Sequence, residues 1–461
     1  MVMDDETERP WRLRLAVVLV ILALGLCAGL FVLVTGSLAA VRALARTGRP
    51  DASVALTPTP ASLLEPSALP SEDLFDDATG VVNLLLVQSE GNDIQLIAPD
   101  GGAVSSLTSD ASPQHSYGQP TWAPDATSVA WSELRLEDAG AGLSSALYHQ
   151  RLSESIATRV DTGPFLPFYI YFDPDSLRIA TLSNWEDGLA LRYVDLIGDK
   201  PEVALVAQGQ PLYFDWSPDG ERILAHIGSD ELSVYDLTGA RASVGAMPGD
   251  FTAPGWLAED QLLYAMTRQG EQRLVVTDSA GRVQQELAEF DGKVTFSASP
   301  DAQRVAYTVT RLSVPTNAFG PLSVVDIESG DTELISRAPV LAFFWSPNAR
   351  SIAYLTPDDS SQDRVSASLQ HEEVWLRWHV WDGVVTYPLT RFVPTDTYLL
   401  EHLRWFDQYA LSMTPWAPDS SAFVFAGRAE SGDSGIWVQP AEPEGTPRRV
   451  AGGVYAAWSP R

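Results

Sequence analysis

Trp216-Ser217-Pro218-Asp219-Gly220 is the stretch whose reading decides the fold of this chain. Proline presets φ for the second position of a tight turn, Asp follows it easily, and Gly tolerates positive φ. The phrase therefore reverses the chain between two strands, and the aromatic before it is placed to pack against a neighbouring sheet. It returns as Trp122-Ala-Pro-Asp125, Phe172-Asp-Pro-Asp175, Ala298-Ser-Pro-Asp301, Trp345-Ser-Pro-Asn348, Trp416-Ala-Pro-Asp419 and Trp458-Ser-Pro460. The most altered copy is Trp256-Leu-Ala-Glu-Asp260. The mean spacing from 122 to 458 is about 48 residues, a period that means propeller blades or helical arrays.

The residues after each anchor exclude helices. Val129-Ala-Trp131, Arg222-Ile-Leu-Ala225, Arg304-Val-Ala-Tyr307, Ser351-Ile-Ala-Tyr354 and Ala422-Phe-Val-Phe425 are short β-type runs. Second runs such as Leu232-Ser-Val-Tyr-Asp236 and Leu322-Ser-Val-Val-Asp326 come next, then a turn and a third run. The region opens on a second-strand run, Val82-Asn-Leu-Leu-Leu-Val87, and closes on a first-strand run, Val454-Tyr-Ala-Ala-Trp458. The expected fold is an all-β propeller of eight four-stranded blades over 81–461. Its C-terminal strand completes the first blade and removes the open edges. Seven or nine blades remain open if the copy at Trp256 is misread.

These repeats resemble the TolB-type, WD40-like propellers built on Trp-Ser-Pro-Asp-Gly units. The resemblance covers roughly 81–461 and implies the fold; it does not imply a function, because many unrelated proteins share the motif. The residues before 81 do not read as the α/β domain of TolB, so a Tol-system role is not expected. The layout also resembles the anchored eight-bladed propellers of dipeptidyl-peptidase-type enzymes, which need an α/β-hydrolase domain not read here.

Residues 15–41 carry no charge across 27 positions, and about 20 apolar residues suffice to cross a bilayer. They read as an uncleaved transmembrane anchor after a short cytoplasmic tail, 1–14. Arg9, Arg12 and Arg14 on one side balance Arg42, Arg46 and Arg49 on the other, so charge does not orient the helix. Residues 42–80, rich in Pro, Ser, Thr and acids, read as a spacer that holds the propeller off the membrane, outside the cytoplasm. The formal net charge of −30 argues against nucleic acid and fits either solubility alone or a basic partner. One cysteine, Cys27, permits neither an internal disulfide nor a zinc ribbon.

No catalytic motif stands out. Gly432-Asp433-Ser434-Gly435 reads as a hairpin turn, His371-Glu372-Glu373 does not continue into a zinc motif, and the six histidines fall in different units. No catalytic residue, metal site or cofactor is expected. Long connections should all lie on one face of the ring, at 132–145, 310–320, 357–373 and 387–412. Within the last, Asp396 is placed to cap a helix carrying Leu399, Leu400, Leu403 and Phe406 on one stripe. His402, Arg404, Trp405, Asp407 and Tyr409 are then the candidate partner-binding residues, set against a plain plug over the propeller. Trp122, Phe172, Trp216, Trp256, Trp345, Trp416 and Trp458 are expected to be structural.

The functional expectation is a monomeric, non-enzymatic scaffold recognising a protein or polymer outside the membrane. The alternatives are an enzyme with a dispersed site at the channel mouth, such as a hydrolase or lyase, and a structural sensor partner of a membrane protein.

Overall fold

Each anchor phrase closes the first strand of an antiparallel sheet, as its turn chemistry requires. The fourth unit shows the pattern: Leu212–Trp216, Arg222–Ile227, Glu231–Asp236 and Arg241–Ser243 pair in chain order. Ser217 Oγ meets the Asp219 carboxylate and accepts the Arg222 N–H at 2.9 Å. Ser299 repeats this with Asp301 and Arg304, and Ser346 with Asn348 and Ser351. The residue after the acid sits in the left-handed region in every such turn. It is glycine only at Gly220; Ala126, Ser176, Ala302, Ala349 and Ser420 adopt φ of 54 to 63°.

The protein is described by a computed structural model covering residues 83–461 apart from 138–141, 161–164, 187, 199–200, 312–319, 359–373 and 431. It adds the paired backbone of Phe75–Asp76 and Val81–Val82. The anchor expected at 15–41, the tail at 1–14 and most of the linker lie outside the described residues. Among the described residues no helix is long and apolar enough to cross a membrane.

Among the described residues the units form an all-β architecture of six four-stranded sheets and one of seven strands. The first sheet is built as its sequence predicts, in the order Tyr455–Trp458, Leu85–Gln88, Ile94–Ile97, Val104–Ser106. Leu85 lies opposite Trp458 and Gln88 opposite Tyr455, so the two ends of the region share one ladder. Trp458 Nε1 donates to Asn83 Oδ1 at 2.8 Å, and Leu84 N–H to Ser459 Oγ at 3.2 Å.

The anchor tryptophans do more than fill space. Trp122 Nε1 donates to the Ala457 carbonyl, Trp216 to Tyr171, Trp345 to Ser297 and Trp416 to Phe344, at 3.0–3.3 Å. In each case the acceptor immediately precedes the anchor position of the unit before it in the ring. The motif is thus a latch between sheets as well as a turn, and a buried indole N–H needs such a partner. Trp256, in the altered copy, breaks the series: its indole N–H has no hydrogen-bond partner.

Two expectations are corrected. Of the loop expected at 132–145, the described residues 132–137 and 142–145 are not irregular but the ends of two long strands, Ser128–Glu137 and Gly142–Arg151, with Leu136 opposite Leu143. The alternation of Leu134 and Leu136 with charged residues was the strand signal there. The seventh and eighth units do not form separate four-stranded sheets. Thr386–Pro394, the last strand of the seventh unit, pairs onward with Ala422–Ala429 of the eighth through Phe392–Ala429, Val393–Arg428 and Pro394–Gly427. A Cβ at Gly427 would lie 2.5 Å from the Val393 carbonyl oxygen, so this close approach requires glycine. The eighth unit's own first strand is reduced to a bridge between Trp416 and Phe423. Of the other expected loops, 312–319 and 359–373 lie outside the described residues.

Candidate functional site: a filled channel and the cavity at its end

The chain between Pro394 and Trp416 replaces the missing strand with helical turns. Tyr398–His402, Leu403–Trp405 and Phe406–Tyr409 follow one another without a straight axis. Thr395 Oγ1, rather than Asp396, takes a backbone N–H at the start, that of Tyr398 at 3.2 Å; Asp396 is exposed.

The insertion is seated on the innermost strands from all round the ring. His402 stacks on Tyr455 of the first sheet with centroids 3.7 Å apart. Tyr409 OH bonds Gln119 of the second sheet at 3.1 Å and the Phe168 carbonyl of the third at 2.5 Å. Gln408 makes a two-way bond with the Phe214 backbone of the fourth, accepting its N–H and donating to its carbonyl, both at 2.8 Å. Phe406 packs on Phe343 and Phe344 of the seventh sheet at 4.6 and 5.4 Å. Contacts with opposite sides of a ring at once place these residues in its central channel. Burial of Phe406, at 1% exposure, contributes roughly 2–3 kcal/mol to holding them there.

This seat changes what the predicted residues are available to do. His402, Asp407 and Tyr409 are 2, 5 and 7% exposed, so a surface contact through them would require the insertion to leave the channel. Burial pushes the His402 imidazole down to about 3, and neither ring nitrogen has a hydrogen-bond partner. Arg404 and Trp405 remain half-buried, the guanidinium 5.2 Å from the indole centroid. The structure brings His402 and Tyr409 together edge to face at 5.1 Å, while Arg404 pairs with its neighbour.

Below the insertion a cavity of about 320 Å³ remains. Its rim includes Pro174, Pro218 and Pro300, the exposed prolines of three anchor turns, so it opens on the short-turn face, opposite the long connections. Tyr171, Trp216, Trp256 and Phe296 wall it, and Asp407, Ala410 and Leu411 of the insertion reach it. Asp215, 5% exposed, also lines it. Its carboxylate accepts the Tyr171 hydroxyl at 3.0 Å and the Trp256 backbone N–H at 2.7 Å, while burial raises its pKa to about 7. Burial likewise raises Asp407 above the ordinary carboxylate range, against the pull of the Lys293 ammonium. Asp407 Oδ2 has no hydrogen-bond partner. The cavity lies where the Trp256 latch is missing. Sequence reading did not find it, though the most altered anchor, at Trp256, was its signal.

A second constellation was also missed. His115 Nε2 lies 2.6 Å from Glu133 Oε1, which Arg135 also contacts at 3.0 Å. His115 Nδ1 is 3.4 Å from Asp110, and Tyr117 donates to Asp110 at 2.8 Å. Glu133 and Arg135, two apart on one strand, share a face and meet His115 across the ladder; that spacing was legible. Both imidazole nitrogens already face carboxylates. Among the described residues no group of three or more His, Cys, Asp or Glu is arranged to hold a metal ion.

No protein-family model and no curated protein sequence matches the chain. Among solved structures it is similar to TolB from Acinetobacter baumannii, at 17% identity and a TM-score of 0.35, covering 67% of this chain and 63% of that one. It is similar to dipeptidyl peptidase 4 of Porphyromonas gingivalis at 12% identity and a TM-score of 0.42, covering 59% of this chain and 48% of that one. An oligogalacturonate lyase solved with manganese matches at 12% identity and a TM-score of 0.41, covering 73% of this chain and 86% of that one. Likenesses this distant leave the architecture to rest on the sheet order itself. The chain is similar to TolB and to other β-propeller proteins.

Proposed function

We propose that this chain is a non-enzymatic binding scaffold: an eight-bladed propeller, tethered to the cell membrane by residues 15–41, that holds a protein partner on its extracytoplasmic side. The observation that carries the reading is the filled channel. Propeller enzymes with dispersed sites need an open axial cavity to admit substrate, and here the chain's own residues 398–409 take that space. What remains accessible is a recess on the short-turn face, of a size that admits a side chain or small ligand rather than a polymer strand.

The test is site-specific photocrosslinking in native membranes. A crosslinker replacing Pro218, at the cavity rim, should give a discrete protein adduct; one replacing Glu90, exposed on the opposite face, should not. Equal adducts at both positions, or none at Pro218, would overturn the reading.

An enzyme remains the second reading, favoured by the His115–Glu133–Asp110 cluster. It requires turnover of some ester, peptide or glycoside that disappears in His115→Ala with the fold intact. A panel of such substrates showing none would remove it.

A further inference from the structure

We propose that the cleft between the second and third sheets, on the long-connection face, binds a small organic carboxylate with an apolar body, whose charged end is taken by Arg192. This goes beyond the scaffold reading and does not depend on it.

Arg192 stands on the strand Gly188–Asp195, opposite Thr181. Val194, two residues on and therefore on the same face, packs with Ala130 and Leu147 of the second sheet, so Arg192 is turned towards that sheet. It is 7% exposed. Among the described residues its guanidinium makes no ion pair and no hydrogen bond; it stacks on Trp185, 4.2 Å from the ring centroid. Ala190 and Gly188, next along the same face, leave it room to reach that ring. Unlike Arg404 Nη2, its nitrogens are not sealed from solvent, so the N–H edge can be reached from outside. Burial alone lowers its pKa, and a guanidinium so shifted still carries its charge near neutral pH.

Arg178, on the neighbouring strand, shows how this chain otherwise treats a covered arginine: Asp173, Asp195 and Glu221 lie 3.5, 3.7 and 3.3 Å from it. Acids outnumber Lys and Arg by 60 to 30, so Arg192 does not stand alone for want of acids. A covered cation without a counter-charge is costly, and an anion arriving from outside offsets that cost. Stacking on Trp185 uses the face of the guanidinium and leaves its planar N–H fork, the shape that takes a carboxylate through two bonds.

The surroundings set the rest of the ligand. Leu205 lies directly opposite Arg192 on the outer strand and is 49% exposed. It is uncovered because the outer strand of the second sheet has three residues against eight in the third. Phe165 packs on Trp185 at 5.2 Å. Leu136 and Leu143, both exposed, face each other at the end of the second sheet's hairpin, on the side turned to the third. Apolar walls around one cation suit a monocarboxylate on a hydrocarbon body. A phosphate dianion asks for a second cation, and among the described residues no neighbouring charge perturbs Arg192.

The probe is phenylacetate, with phenylacetamide as its neutral isostere and inorganic phosphate as a competitor without an apolar body. Each is added to the full chain, and saturation-transfer NMR follows the aromatic probes. Phenylacetate should saturate with a Kd of about 1 mM, as expected for one small contact, and the amide should bind at least about tenfold more weakly. An equal concentration of phosphate should not displace it. Arg192→Met should weaken phenylacetate by about tenfold or more while folding like the parent, since it removes no hydrogen bond. Leu205→Glu, at an exposed position, places a carboxylate across the ladder from Arg192 and should cause the same loss by occupying the guanidinium. Absence of phenylacetate binding, equal binding of the amide, displacement by phosphate, or binding unchanged in Leu205→Glu would overturn the proposal. If Arg192→Met does not fold, Leu205→Glu and the acid–amide comparison on the parent chain decide.

Discussion

The fourth and eighth units start from nearly the same phrase, Trp-Ser-Pro-Asp-Gly and Trp-Ala-Pro-Asp, and use it differently. In the fourth, Leu212–Trp216 is a full innermost strand, every residue of it paired with Arg222–Ile227. In the eighth, only Trp416 keeps that place, through one bridge to Phe423 and an indole bond to Phe344. Residues ahead of it leave the sheet and enter the channel, and the seventh unit's last strand closes over the gap. A latch and a turn are therefore enough to hold a unit in the ring. The strand between them is replaceable, and the replacement decides whether the channel is open or filled.

The comparison can be broken most severely at the closure. Deleting residues 454–461 removes Tyr455–Trp458, all buried, from the first sheet and takes away the Tyr455 face beneath His402. The expected loss is on the order of 5 kcal/mol or more, close to the whole stability of many domains, and denaturant melts should show one global collapse. A truncated chain that melts like the parent would show that the ring closes elsewhere.

Next in size is the seat of the insertion. Phe406→Ala should destabilise by about 3–5 kcal/mol, since it empties a site between Phe343 and Phe344. Limited proteolysis should show new cuts within 395–414 before any cut in the regular sheets. Simultaneous cutting everywhere would mean that the insertion and the ring unfold as one unit.

Asp215 of the fourth unit, which holds the Trp256 backbone of the altered fifth, supplies a pH test. Asp215 is raised to about 7 by burial, so the folded protein retains a proton there that the unfolded chain, at the ordinary value of 3.8, has released. The associated stabilisation is full below the unfolded value and is lost as pH rises through the folded one. Relative to Asp215→Asn, the parent chain should therefore lose about 2 kcal/mol between about pH 5 and about pH 8. Parallel stability curves for the two would show that Asp215 is ionised throughout.

The smallest expected effect separates latched from unlatched tryptophans. Trp345→Phe loses the bond to the Ser297 carbonyl, whereas Trp256→Phe loses none. Chemical denaturation should find Trp345→Phe worse by about 1 kcal/mol. Equal losses would reduce the latch to packing alone.

The insertion shows where sequence reading stopped. The stripe Leu399, Leu400, Leu403 and Phe406 marked helical turns, and helical turns formed, but an amphipathic pattern says only that one side is covered. It does not say by what. The covering groups are Tyr455, Gln119, Phe168, Phe214 and Phe343, drawn from five sheets and separated by up to hundreds of residues in the chain. His402, Asp407 and Tyr409 looked like surface chemistry because they are polar. Their burial is a property of the channel, and nothing adjacent to them in sequence specifies it.

What the sequence determined by itself was whatever local chemistry enforces: the turn at each Pro-Asp, the β runs after it, and the out-of-phase ends that Leu85 and Trp458 join. Those features depend on residues within a few positions of one another, or on a period that repeats them. The filled channel, the merged seventh and eighth units, and the cavity beneath Trp256 were decided only in three dimensions. Each depends on which distant backbone carbonyl an indole reaches, on the space one absent strand leaves at the axis, and on the two carboxyl groups, Asp215 and Asp407, that ring closure puts into one cavity.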